Sequence, residues 1–193
     1  MHDRAISRRV VLAGLSAIGL GAPALGQIPS RSGPEDNGRD ASQGVWTSVD
    51  LIGTDGREIS LGQVSAPLII VHLWASWCAA CLGELASLQE IAERLGPSGI
   101  ATLLVSHPKH WDADQAFLQR AGLQMRAYTL APGTPWEVRA AAFAMVGGSY
   151  AVPRTLVFAG SERRCVLARD GAVNWRSPQT ATRLNAWLRA AAA

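Results

Sequence analysis

The chain has 193 residues, 48% of them hydrophobic, which suits one domain with a substantial core. Its formal charge is +3, from 18 basic and 15 acidic residues, and the first 26 residues carry two of those three positive charges. The near-neutral remainder removes the electrostatic case for nucleic-acid binding. Three cysteines are too few for a disulfide-stapled scaffold, and the soft ligands are not spaced for zinc.

Residues 1–26 read as an export signal. Arg4, Arg8 and Arg9 make a basic start, and residues 10–21 form an uncharged apolar run too short to span a bilayer comfortably. Small residues in Ala24-Leu25-Gly26 predict cleavage after Gly26. Ser7-Arg8-Arg9-Val10-Val11-Leu12 is similar to a twin-arginine motif, with Val11 where Phe is usual. A Sec-type signal and a retained N-terminal anchor are the alternatives. Residues 27–44 are rich in Ser, Gly, Asp and Arg and read as a flexible linker. The domain is expected over 45–193.

Residues 46–52 and 58–61 read as strands around the turn Thr54-Asp55-Gly56. Residues 68–74 form an unbroken apolar run, as in a strand covered on both faces. After Cys78 the period becomes helical through Leu82, Leu85, Leu88, Ile91, Ala92 and Leu95, and Gly96-Pro97 ends it. Residues 100–106 are the next strand, which predicts a right-handed βαβ unit with parallel strands. Helices are expected over 112–121 and 135–145, with Gly147-Gly148-Ser149 breaking the pattern. Residues 154–159 and 165–169 read as a hairpin through Gly160-Ser161, and Ser177 as the cap of a last helix presenting Leu184, Trp187 and Leu188.

The chemistry concentrates in Trp74-Ala75-Ser76-Trp77-Cys78-Ala79-Ala80-Cys81, where a buried strand turns into a helix. Two residues between cysteines let the sulfurs bond and part again. At a helix N-terminus the first sulfur meets unpaired N–H groups and the positive end of the dipole, and both favour the thiolate that attacks disulfides. Cys78 is therefore the expected nucleophile and Cys81, one turn deeper, the resolving thiol. Ala79-Ala80 adds no charge and no hydrogen-bonding side chain. This predicts a potential nearer the reducing end of the roughly −120 to −270 mV span of such proteins.

The string Trp74 to Cys81 continued through Leu82-Gly83-Glu84 resembles the TlpA/ResA-like thiol–disulfide oxidoreductases of the thioredoxin fold, with their W-A-x-W-C-x-x-C-x-x-E. Val152-Pro153-Arg154-Thr155 resembles the family's cis-proline loop, and Gly171-Ala172-Val173-Asn174-Trp175 its C-terminal G-x-x-x-W. The likeness covers roughly residues 45–188. It implies an α/β fold, a thioredoxin-like three-layer sandwich with a mixed central sheet and an added N-terminal β-hairpin. It implies a surface position for Cys78, a cis Pro153 and a tuning role for Glu84, a carboxylate that raises a thiol's pKa and accepts its proton. An ordinary solvated helix Glu is the alternative. Trp77, Val152 and Thr155 are the implied substrate-binding residues. The departures are Ala86 where Pro is common, Leu82 where Lys or Arg is usual, and His72 where Asn is frequent.

His72 itself reads as a satisfied core histidine, Cys165 as a small buried residue, and Trp74 as a shield for Cys81 or plain core. His107, Lys109, His110 and Trp111 follow the second parallel strand and should lie near Cys78, as a docking rim or as solvated loop. No metal and no cofactor beyond the Cys78–Cys81 disulfide is expected. By the resemblance, the function is reduction of protein disulfides in the periplasm, in cytochrome c maturation or at copper-site cysteines. The electron donor would be a membrane thiol protein of CcdA/DsbD type, and the chain itself a monomer. A disulfide oxidase or isomerase and a Cu(I) metallochaperone are the alternatives.

Overall fold

The computed structural model describes Trp46, residues 49–143 and residues 151–191. The expected signal segment and linker, the Gly147-Gly148-Ser149 break and the expected helix end at Met145 lie outside those residues.

One seven-stranded sheet organises the described residues. Its strands are β1 (Asp50–Gly53), β2 (Glu58–Ser60), β3 (Leu68–Trp74), β4 (Ile100–Ser106), β5 (Arg126–Leu130), β6 (Arg154–Ala159) and β7 (Arg164–Asp170). The order is β2-β1-β5-β4-β3-β6-β7. β3 pairs parallel with β4 along its whole length, and antiparallel with β6. β1 and β2 form an antiparallel pair, and β1 also runs antiparallel to β5. The helices are α1 (Ala79–Leu95), α2 (Trp111–Arg120), α3 (Trp136–Ala142) and α4 (Pro178–Ala191).

All seven residues of β3 are buried, as its unbroken apolar run requires. Alternate side chains enter opposite layers. Leu68, Ile70 and Trp74 pack with Leu85, Leu88 and Ile91 of α1 and Leu184 of α4. Ile69, Val71 and Leu73 pack with Trp46, Leu61, Ala142 and Phe143. The return from α1 into β4 depends on Gly99, at φ +102, where a Cβ would stand 2.9 Å from Pro67 Cγ. Gly99 C=O also accepts from Leu68 N–H at 3.2 Å, which locks the start of β3 beside the start of β4.

Three elements depart from expectation. β5 lies in a stretch where no element was expected. It is short and carries Arg126, Tyr128 and Thr129, so it lacks the apolar run that marks β3 and β4, yet it seats between β4 and β1. The first strand begins at Asp50, later than expected, and a short 3-10 turn over Leu61–Gln63 takes the end of the second. The β6–β7 hairpin forms, with an irregularity between Val157 and Phe158. Ser177 caps α4 as expected, its Oγ accepting from Thr180 N–H at 3.1 Å.

The β6–β7 turn carries Arg163, whose φ of 52 is left-handed for a side-chain-bearing residue. Its guanidinium is buried and donates to the carbonyls of Leu61, Val64, Ala66 and Gly160. Four acceptors hold both the unusual backbone and the loop that precedes β3.

Candidate active site

β3 ends at Trp74, and three residues turn the chain into α1. Cys78 N–H donates to Ala75 C=O at 3.0 Å, and Ser76 N–H donates to Asp114 Oδ1 of α2 at 2.6 Å. Asp114 is wholly buried, so this contact ties the active-site turn to α2. Cys78 and Cys81 are joined as a disulfide, with their Cα atoms 5.2 Å apart.

Cys78 is the N-cap of α1 rather than its first helical residue. Its backbone is extended, and its sulfur accepts from Cys81 N–H at 3.1 Å. A sulfur in that place takes one of the donors that a helix start leaves unpaired. The expected surface position is corrected: Cys78 is only 7% exposed and Cys81 not at all. Both join the core cluster that contains Trp74, which shares a tilted ring contact with Phe117 at 6.0 Å. Trp77, by contrast, is 56% exposed.

The loop after β4 lies where expected. The His110 ring meets the Trp77 ring edge-on at 6.0 Å, and His107 lies 6.3 Å from His110. Lys109 is exposed, while Trp111 packs partly against the core and so belongs less to a rim than to the domain body.

Glu84 is not a solvated helix residue. It is buried, and its Oε2 accepts from Val173 N–H at 2.8 Å and from Trp175 Nε1–H at 3.0 Å. Its Oε1 faces His72 Nε2 at 3.4 Å. Burial raises the Glu84 pKa, against the pull of the Val173 and Trp175 donors and of Arg169. His72 is fully buried on β3, and burial lowers its pKa to about 3. The two groups are close in space, and burial favours the neutral imidazole over the charged one. On its other side His72 Nδ1 lies 3.1 Å from Thr155 Oγ1.

The Val152–Pro153 bond is cis, as expected. Pro153 C=O accepts from Gly171 N–H at 2.8 Å, which joins the proline loop to the segment that also supplies Val173 and Trp175. Val152 is partly buried against both core clusters. Thr155, expected at the substrate, is fully buried with its hydroxyl turned to His72, so its side chain serves the interior of the site. Cys165 is buried in the hairpin as expected, its sulfur 3.1 Å from Leu167 C=O.

Reading the sequence locally missed three participants: Asp114, and the Val173 and Trp175 donors to Glu84. The donors stand 89 and 91 residues from Glu84 and carry no local mark of the contact. Asp114 had a signal, since it lies four residues before buried Leu118 on one helical face.

Comparison with known proteins supports the fold. No family model and no curated protein matches the chain. Among solved structures it is similar to a thio-disulfide isomerase from Thermus thermophilus, at 24% identity and TM-score 0.54, covering 73% of this chain and 90% of that one. The thioredoxin domain of a thiol-disulfide oxidoreductase from Bacteroides vulgatus matches at 16% identity and TM-score 0.57, covering 72% and 96%. StoA from Bacillus subtilis matches at 16% identity and TM-score 0.53, covering 73% and 96%. The fold is thus thioredoxin-like.

Proposed function

We propose that this chain is a thiol–disulfide oxidoreductase that reduces disulfides on exported client proteins through Cys78 and Cys81. The observation that carries the reading is the bonded sulfur pair at the start of α1, with one sulfur in the cap position and the other a turn deeper. In the reduced form the Cys81 N–H and the helix end favour the Cys78 thiolate. That thiolate attacks a client disulfide, and one client sulfur leaves with the electron pair. Cys81 then attacks Cys78. The Cys78–client bond breaks, the ring disulfide closes, and the second client sulfur leaves reduced. Glu84, three residues beyond Cys81 on the same helix face, accepts the Cys81 proton.

Trp77 supplies an exposed aromatic surface for the client, and the Val152–Pro153 edge receives an extended client segment. The compartment is the periplasm, reached through the N-terminal signal. Clients in cytochrome c maturation or with copper-site cysteines, and a membrane thiol donor of CcdA/DsbD type, fit a monomeric reductase with no other cofactor. Ala79-Ala80 leaves the thiolate with the helix end as its support, which favours reduction over oxidation.

The test is trapping. In Cys81→Ser the mixed disulfide has no resolving thiol, so covalent complexes with client proteins accumulate on non-reducing gels and disappear with dithiothreitol. Absence of such complexes, together with unimpaired insulin reduction by Cys78→Ser, sinks the reading.

A further inference from the structure

Two polar atoms in the core have only each other. His72 Nε2 and Glu84 Oε1 are buried, neither has a well-formed hydrogen bond among the described residues, and they lie 3.4 Å apart. Two bare lone pairs at that distance would repel, and two hydrogens would clash. One proton must lie on the axis. The other ends of both groups are fixed, with Glu84 Oε2 held by Val173 N–H and Trp175 Nε1–H, and His72 Nδ1 facing the Thr155 hydroxyl.

With the ring neutral, as its burial favours, these partners leave two self-consistent states. With Glu84 ionised, His72 carries its hydrogen on Nε2 and donates to Oε1, while Nδ1 accepts from the Thr155 hydroxyl. With Glu84 protonated, Oε1–H donates to a bare Nε2, and the ring hydrogen sits on Nδ1 and donates to Thr155 Oγ1. The second state holds one more proton than the first. With the ring neutral in both, adding that proton switches the histidine tautomer.

We propose that His72 is the positioning residue of a proton-holding pair with Glu84, and that its tautomer switches when an ionised Glu84 takes up the Cys81 proton and switches back when that proton leaves. The inference rests on the oxidoreductase reading and adds to it where the Cys81 proton is kept and by what. When Cys81 closes the ring disulfide, its sulfur gives up the proton as the client sulfur leaves with the bonding electrons. Glu84 takes that proton on the oxygen aimed at Nε2, and His72 makes this possible by turning a lone pair to it. The departing client thiolate takes its own proton from water. The stored proton leaves through an open cleft between α1 and the β7–α4 loop, lined by Glu84 itself with Gly83, Ser87, Val173, Asn174 and Arg176, whose guanidinium is paired with Glu90.

The surroundings of the pair carry few competing charges. β4 presents Leu104 opposite His72 and β6 presents Thr155. The β7–α4 loop presents the Trp175 ring edge-on at 6.4 Å, and α4 contributes apolar Leu184 to the same layer. α1 supplies Cys81 and Glu84, and Arg169 of β7 is the cation that acts on Glu84. A thiolate formed at Cys78 or Cys81 on reduction adds a negative charge beside Glu84, which raises its proton affinity. The switch therefore occurs at higher pH in the reduced chain than in the oxidised one.

The experiment is nitrogen NMR of the full chain labelled at histidine, oxidised and reduced, from about pH 5 to 9. The His72 ring nitrogens are expected to exchange donor and acceptor character, with the midpoint moved upward on reduction. Between the two midpoints the couple takes up, in a potential–pH titration, one proton more per two electrons than E84Q does at the same pH. One unchanging tautomer in both redox states across the range, or a ring protonated on both nitrogens, overturns the inference, and that measurement needs no variant to fold. A chain whose Cys78–Cys81 bond cannot be reversibly reduced overturns the functional reading as well. A reversible bond with a fixed tautomer overturns this inference alone.

Discussion

Arg163 and the His72–Glu84 pair are both polar groups withdrawn from water, and they are satisfied in opposite ways. Arg163 spreads its donors over the carbonyls of four loop residues. No proton needs to move there, and burial only lowers the guanidinium pKa from a value far above neutrality. At the pair, two buried atoms face one another with room for one proton. A saturated donor set is scaffolding, since any change leaves acceptors bare. An under-filled set in which one proton has two homes is a place where chemistry can be stored. The sulfur pair lies with the second kind, on the α1 side of the sheet.

Removing Arg163 breaks this contrast most forcefully. Arg163→Met keeps the length of the side chain and strips four carbonyls of their partner. Buried acceptors without partners cost about 1–3 kcal/mol each, and part of that returns as water enters the loop, so a loss of about 3–5 kcal/mol is expected. Urea unfolding monitored by tryptophan fluorescence measures it. Insulin reduction per folded molecule should hold at the wild-type level, because the clamp touches nothing at Cys78. A proportionate loss of specific activity would show that the two polar sites are not separate.

Changing the pair should alter the pH dependence of stability, with opposite signs for its two members. His72 has its folded pKa depressed from 6.5 to about 3, so its contribution is present above pH 6.5 and is lost as pH falls. Glu84 has its folded pKa raised above 4.5, so its contribution is present at low pH and is lost as pH rises through the folded value. In the wild type these slopes oppose one another above pH 4.5, over the range below 6.5 in which Glu84 is still losing its proton. E84Q leaves the histidine slope alone, so its stability should fall as pH drops below 6.5 by up to about 1.4 kcal/mol per pH unit, more steeply than wild type. H72Q leaves the carboxyl slope, and its stability should rise relative to wild type over the same interval. Unfolding midpoints at four or five pH values distinguish the two, and equal slopes in both variants would show that the groups titrate elsewhere.

The frame of the site was legible because it is local. The unbroken apolar run of β3, the three- and four-residue period of α1 and the cysteine spacing each sit within one element, so strand, helix and sulfur pair fell where the residues implied. What was hidden is what the fold brings from far away. His72 was recognisable as a core histidine, but that it faces Glu84 depends on how α1 lies across β3. Glu84 was expected to tune the site, with a solvated helix residue as the alternative, but the donors that bury it, Val173 and Trp175, come from beyond β7. β5 escaped because its polar residues mask a strand that is specified by its neighbours β4 and β1 rather than by its own pattern. The depth of Cys78 has the same origin, since exposure is a property of the assembled layer.

The smallest expected effect concerns the opening through which the pair reaches water. Gly83 lies inside α1 and lines the cleft beside Glu84. A glycine within a helix costs about 0.5–1 kcal/mol relative to alanine, and a Cβ added at Gly83 meets no atom within 4 Å. Packing therefore does not demand the glycine. Its absent side chain leaves the mouth of the cleft open. Gly83→Ala should raise stability by about 0.5–1 kcal/mol, read as a higher urea midpoint with unchanged slope. Gly83→Leu should keep the helical gain while covering Glu84, so that the difference from Gly83→Ala appears as slower resolution of a preformed mixed disulfide. Equal resolution rates in the two variants would mean that the proton leaves the pair by another route.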